Sequence, residues 1–544
     1  MTAAHGADYD HEHGMAHDRG GMVTTATRIT NEETAGTPAS AIANAGLRIP
    51  DPQRYTFRPG KAFPVIKAKD PKEYLDAALA AERFIATHQV EDGDGIYWKD
   101  QCSDKEHISL YSGSTGVVYF YLELYRATGD QRFLNILQRG VRFLQRNWKA
   151  ATIVDDEHHL FPSSRYDKVN HQAFPGEEYS QNIGPAGVGS VLYLVYRHFP
   201  SPDLRATLDD IADWLIGKAT RDGKGVRWSG NPGIYLDGGS VLYLAQLYGE
   251  FHDERLKAFI DDYGKYLLST THRLPDGSVI ADGTDQYRAY AMPNHEVGTA
   301  GGGYQLTLLY QITGDRKYLE AAEGTTKYLA SIAVPQAKGH LIPVRVNHDG
   351  TPFNGNADLN DPLGDAGAQH GDLPERYDRP LCYLGDCNGV AGTVRLYYNL
   401  WRITGDKAWL APIDDLTDGL LSVGAPERQS AGLWNAPYYC CGHASILQFF
   451  IGAYLAFHEE RWLDLARRTA DVLLGLATFT GDGDDRQAYW PVAWERIWPN
   501  DLTVTVGLYI GAAGIANALL QTYEVLTGTF AVDRLANDPW PDRQ

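Results

Sequence analysis

Five cysteines in 544 residues, at positions 102, 382, 387, 440 and 441, are too few and too unevenly placed for a disulfide framework. Adjacent Cys440 and Cys441 would bridge each other only with strain. No stretch approaches the roughly 18 apolar residues of a membrane span. The first residues, MTAAHGADYDHEHGMAHDRGGM, lack the basic start and apolar run of a secretory signal. Basic charge is also short: 49 Lys and Arg against 69 Asp and Glu give a net charge of -20. That balance argues against nucleic acid or an anionic membrane as the main partner. Free thiols without a signal point to a reducing cytoplasm.

What is present is an ordinary core composition, 43% hydrophobic and 22% charged. The length suggests two or three domains, unless a closed repeat fold carries it. A repeat does occur, seven times. Each copy has a small-residue turn, often Gly-x-x-Gly, then about 14 helical residues, then a stop such as Thr-Gly-Asp. The turns carry Gly113 and Gly116, Gly184 and Gly187, the irregular Asp237-Gly238-Gly239, Gly298 and Gly301, Gly389 and Gly392, Gly442 with Ser445, and Gly511 and Gly514. The repeat helices are apolar almost all round, which predicts burial. Those between them, such as QRFLNILQRGVRFLQRNW and LRATLDDIADWLIGKA, show the 3.6 period of helices with one wet face.

Seven buried helices alternating with seven half-exposed ones predict an all-α fold, an α/α toroid of two concentric rings. The toroid is expected over residues 51–535, after a His-rich segment 1–50 (His5, His11, His13, His17) read as disordered. Insertions interrupt it near 151–180 and 340–386, the second rich in Gly, Pro, Asn and Asp and read as a lid leading into Cys387.

Cys387 and the pair Cys440-Cys441 sit in equivalent turns of neighbouring repeats. Three thiols delivered to the starts of two adjacent helices predict a soft tetrahedral metal site with one corner open, the pattern of catalytic zinc. The bland reading is three buried free thiols, since cysteine is among the most buried residue types. Cys382 competes as a ligand but lies outside the repeat register, so a structural thiol is expected there.

Over roughly residues 75–530 the sequence resembles the lanthionine synthetase cyclases and their LanC-like relatives. SLYSGSTGV is similar to the family's opening motif, DCNGVAG to its tryptophan-cysteine-x-glycine motif, and YCCG to its cysteine-histidine-glycine motif in the variant with a second cysteine. The resemblance implies Zn²⁺ held by Cys387, Cys440 and Cys441. It also implies addition of a peptide cysteine thiolate to dehydroalanine or dehydrobutyrine, making a thioether. An all-thiolate set makes the metal a weaker Lewis acid and leaves a bound substrate thiolate more nucleophilic. The implied partner is a dehydrated precursor peptide. No dehydratase-like segment occurs in the first 70 residues, so a separate dehydratase is expected.

An acid must protonate the enolate. The family's histidine register holds Val297, and His295, beside Glu296, is the candidate in its place. Asp237 corresponds to the family's aspartate, with a helix-capping role as the rival. His443 is a candidate proton donor close to the cysteine pair. Tyr383 and Asn388 stand where the family has arginine and tyrosine, and the nearest arginine is Arg379. His107 is read as capping or core, and His171, Glu177 and Glu178 have no assignment. Two alternatives stay open: a LanC-like zinc scaffold that binds peptide without cyclising it, and a sugar-processing α/α barrel working with paired carboxylates.

Overall fold

The computed structural model describes residues 54, 60–99, 108–152, 177–281, 291–347, 351, 382–430, 433–434, 436–493 and 502–544. The His-rich segment 1–50, Cys102, His107, His171, Arg379 and most of both insertions lie outside the described residues. Among the described residues, fourteen α-helices follow in chain order. They are α1 (Lys72–Ala86), α2 (Ser114–Thr128), α3 (Gln131–Asn147), α4 (Pro185–His198), α5 (Pro202–Lys218), α6 (Asp237–Phe251) and α7 (Glu254–Thr270). The others are α8 (Thr299–Thr313), α9 (Arg316–Ile332), α10 (Val390–Thr404), α11 (Ala411–Ser422), α12 (His443–Phe457), α13 (Glu460–Leu476) and α14 (Ala512–Thr527).

Even-numbered helices form the inner ring and odd-numbered ones the outer ring. Every residue from Ser114 to Leu124 of α2 is buried, whereas α3 buries a single stripe through Phe133, Leu137, Gly140, Val141 and Leu144. Each inner helix packs on the next, and α14 returns to α2 while taking α1 as its outer partner. The double ring expected from the repeats is therefore closed by the first and last helices.

The Thr-Gly-Asp stop works in both directions. Gly129, Gly314 and Gly405 end α2, α8 and α10 in the left-handed conformation, with φ of 67°, 72° and 72°. The next residue then caps the following helix: Asp130 accepts from Arg132 N, Asp315 from Lys317 N and Asp406 from Ala408 N. In the third and sixth repeats the left-handed residue is His252 or His458, at φ 54° and 56°.

Short two-stranded ladders that the sequence pattern did not predict lead from outer helices into inner turns. They include β1 (Gln89–Asp92) with β2 (Gly95–Trp98), and the parallel pair β3 (Cys382–Tyr383) and β4 (Leu433–Trp434). Strands of two to four residues are too short to show alternation.

After α14, residues 529–544 turn back into the ring. The Tyr119 hydroxyl donates to Asp533 O at 2.7 Å, the Tyr304 hydroxyl to Ala536 O at 3.1 Å, and Arg402 Nη1 to Pro539 O at 3.0 Å. The Trp540 ring stacks on Tyr398 at 4.1 Å. The expected boundary at 535 thus falls inside this segment, which has no periodicity to announce it.

Because His252 and His458 are exposed and strained in the left-handed region, His252→Gly and His458→Gly should each raise unfolding stability. The expected gain is about 0.5–1 kcal/mol, read from urea midpoints; a loss would show that the rings contribute more than the backbone costs.

Candidate metal centre

The two cysteine turns are built alike. In each, a bridge pairs a residue with the glycine six positions later, Tyr383 with Gly389 and Ala436 with Gly442. The cysteine of each loop, Cys387 or Cys440, lies two residues before that glycine, which is the N-cap of α10 or α12. Gly392 allows the first loop to close: a Cβ there would stand 1.9 Å from Asp386 O and 2.8 Å from His295 Cβ.

The same register recurs around the hub, where backbone hydrogen bonds join neighbouring turns. Tyr111 N donates to Asn182 O, Tyr235 N to Glu296 O, Glu296 N to Cys387 O, Cys387 N to Cys440 O, Cys440 N to Tyr509 O, and Tyr509 N to Tyr111 O. The register places Cys387 and Cys440 side by side and brings Cys441 with them.

The three sulfurs lie within 4.8 Å of one another, with Cys387–Cys441 and Cys440–Cys441 each at 3.4 Å. Both separations far exceed the ~2.05 Å of a disulfide. Tetrahedral bonds of about 2.3 Å to one cation would set sulfurs about 3.8 Å apart, so the cluster has the size a metal ion needs. All three thiols are buried. Burial raises the Cys440 pKa, but hydrogen bonds from Cys387, Cys441 and Tyr111 outweigh it and bring the thiol well below its ordinary value. Cys387 is pushed well up by its hydrogen bonds with Cys440 and Cys441 and by burial. Cys441 is pushed up too, by Cys440 and burial against the opposing bond to Cys387. One thiolate held between two thiols is the arrangement expected of a ligand set that needs a cation before it can ionise fully. Cys382 lies in β3, its thiol pushed up to about 12 by burial, outside this cluster.

Aromatic rings wall the hub: Tyr111 stacks on Tyr509 at 5.0 Å, and Tyr439 meets Tyr509 edge-on at 5.0 Å. Next to Cys387, the Asp386 carboxyl lies beside Glu296, whose Oε2 accepts from Asn182 Nδ2 at 3.2 Å. Burial, then the nearby Asp386 and Cys440, push Glu296 well above the carboxylate range. Asp386 rises to about 6 through burial, opposed by Arg395. Arg395 Nη2 pairs with Asp386 at 2.7 Å.

His295 is fully buried, its ring edge-on to Tyr304 at 5.6 Å. Burial and then Arg395 hold its pKa well down, so the imidazole is neutral. Arg395 Nη1 stands 3.5 Å from Nε2, which assigns the ring proton to Nδ1; Nδ1 has no hydrogen-bond partner among the described residues. His443 instead points both ring nitrogens at backbone carbonyls, Nδ1 at Ala436 O (3.1 Å) and Nε2 at Pro426 O (2.8 Å). Asp237 takes backbone N–H groups of Trp228 (3.0 Å), Ser229 (2.9 Å) and Gly230 (2.9 Å), plus the Ser229 hydroxyl. Each therefore secures a turn of its own repeat. Val297 packs against Met292 and Val344, Tyr383 lies in β3, and Asn388 Oδ1 has no partner among the described residues.

Sequence reasoning passed over Asp386, Arg395 and Tyr111, and gave Glu296 no role. Two signals could have found them. Tyr111 and Glu296 share the cysteines' register, two residues before the opening glycine, and Arg395 is a charge inside a helix whose first eleven residues are all buried.

A family profile described as lanthionine synthetase C-like protein matches residues 104–527. Among solved structures the chain is similar to nisin cyclase, with a TM-score of 0.50 and 12% identity over 78% of this chain and 89% of that one. It is also similar to the cellobiose 2-epimerase from Bacillus thermoamylovorans B4167, at TM-score 0.41 and 10% identity over 84% of this chain and 99% of that one. At such identities the likeness is one of fold. No curated protein matches the chain.

Asp237→Ala would leave the buried N–H groups of Trp228, Ser229 and Gly230 without their acceptor. It should cost about 3 kcal/mol in urea unfolding while leaving metal content per chain unchanged; stability within 0.5 kcal/mol of wild type would contradict the anchoring role.

Proposed function

Because the chain belongs to the lanthionine synthetase C-like family, we propose that it is a zinc-dependent cyclase. It adds a cysteine thiolate to a dehydroamino acid within a modified ribosomal peptide. The observation carrying this reading is the approach of the Cys387, Cys440 and Cys441 sulfurs to within 4.8 Å of one another at the hub. These residues would hold Zn²⁺, which when bound lowers the pKa of a substrate thiol so that a nucleophile exists at neutral pH.

The chain's own residues supply the rest. Tyr111, Tyr439 and Tyr509 keep water from the sulfurs. The sulfur bonds to the alkene β-carbon, the π pair moves to the α-carbon, and a proton arrives there; the thiol's own proton balances the step. His295 Nδ1–H is the donor assigned to this protonation, backed by Arg395 at Nε2. His443 and Asp237 hold the turns that frame the centre. The alkene is made by a separate dehydratase acting on the precursor peptide, and the reaction takes place in the cytoplasm.

Val297 and Asn388, standing where the family resemblance implies a histidine and a tyrosine, favour a second reading: a zinc scaffold that binds peptide without cyclising it.

Metal analysis and a dehydrated cysteine-containing peptide separate these. Wild type should carry about one zinc per chain and Cys440→Ser less than about a tenth of that. With peptide, wild type should remove alkylatable thiol at constant peptide mass. Zinc and peptide binding without thiol loss would support the scaffold, and metal-free wild type would remove the basis of both. His295→Gln should lower kcat by about 10²-fold with zinc content unchanged; an unaltered kcat would exclude His295 as the donor.

A further inference from the structure

Arg395 lies on α10 and is only 3% exposed. A buried guanidinium persists where partners meet its donors, and here they come from four separate stretches of chain. Nη2 pairs with Asp386 Oδ1 at 2.7 Å and donates to the Tyr439 hydroxyl at 2.7 Å. Nη1 donates to Asn537 O at 3.1 Å and stands 3.5 Å from His295 Nε2. Asp386 directly precedes Cys387, and Tyr439 directly precedes Cys440. One side chain therefore grips the residue before each of the two cysteines in equivalent turns.

Asn537 is itself pinned on both sides. On one side Asp533 is bound by Arg126 at 2.8 Å, Arg197 at 3.2 Å and His198 at 2.6 Å, from α2 and α4. On the other, Arg402 holds Pro539, and Trp540 lies on Tyr398 of α10 and 5.7 Å from Phe449 of α12.

We propose that Arg395 is the positioning residue of the cysteine centre: it sets the turns of Cys387 and Cys440 at the separation a shared cation requires, and residues 533–540 hold Arg395. This rests on the reading of the three cysteines as metal ligands and extends it to the group that presets them. A planar guanidinium suits the task because its fork fixes three partners at once, which a lysine ammonium on a flexible stem does not. Apart from it, the cysteine turns meet through the hydrogen bond from Cys387 N to Cys440 O at 3.0 Å, and the stretches leading into them through the short ladder of Cys382–Tyr383 with Leu433–Trp434.

The test uses the full chain. Arg395→Met removes every donor, and Arg395→Met combined with Asp386→Asn also removes the charge left behind. Arg395→Lys keeps the charge and loses the fork. Arg255→Met, on the outer helix α7, loses an exposed pair with Asp213 and touches neither the turns nor residues 533–540. Co²⁺ affinity and the cobalt–thiolate absorption spectrum report the centre; amide exchange over residues 383–389 and 436–442 in metal-free protein reports the turns.

Arg395→Met and the double variant should bind Co²⁺ at least about tenfold more weakly, with a shifted spectrum and faster exchange in both turns. Arg395→Lys should fall between them and wild type, and Arg255→Met should match wild type. Wild-type affinity, spectrum and exchange in Arg395→Met would overturn the proposal. If Arg395→Met does not fold, the same wild-type behaviour in Arg395→Lys overturns it. A wild type that binds no metal would defeat the metal reading alone, and the exchange comparison would still decide whether Arg395 orders the turns.

Discussion

Backbone hydrogen bonds between successive turns are the constraint on which the rest depends. They run from turn to turn around the hub, from Tyr235 through Glu296, Cys387, Cys440, Tyr509 and Tyr111 to Asn182. In several repeats the second glycine leaves room for the turn to fold back on itself. At Gly187, Gly301 and Gly514 a Cβ would stand 1.8 Å from the carbonyl six residues earlier. Seven inner helices are thereby drawn to one axis with the positive ends of their dipoles towards it.

That geometry turns one register of the repeat into a ring of side chains, and the chain uses the ring unevenly. Aromatic Tyr111 and Tyr509 adjoin the cysteine side and keep it dry, while Glu296 and Asn182 form a hydrogen-bonded polar arc. The sulfurs sit where the two meet. Burial pushes all three thiols up, and at Cys440 hydrogen bonds from Cys387, Cys441 and Tyr111 outweigh it and draw that thiol down. A cation would resolve that conflict, and the spacing of the sulfurs accommodates one.

Beneath the ring, polar links replace the apolar packing of the outer layers. Arg395 joins three turns to residues 533–540, which contact inner helices on opposite sides of the ring. The centre is thus tied to the far end of the toroid through groups that are remote in sequence. Asp237 and His443 show the opposite economy: each lies in an inner-helix first turn and spends its polar atoms on backbone groups within its own repeat.

The double ring was legible in the sequence because local signals repeat. A glycine turn, a helix apolar all round and a Thr-Gly-Asp stop recur often enough to reveal architecture, and the periodicity of the outer helices supplies the second layer. The three cysteines were legible for the same reason, since equivalent turns of adjacent repeats must be neighbours in a closed ring. The short ladders, the inward path of residues 529–544 and the polar partners of the centre were not. Asp386, Tyr439, His295 and Asn537 meet Arg395 only because helices from distant parts of the chain share one axis. Contacts of that kind carry no period, and the fold alone decides them.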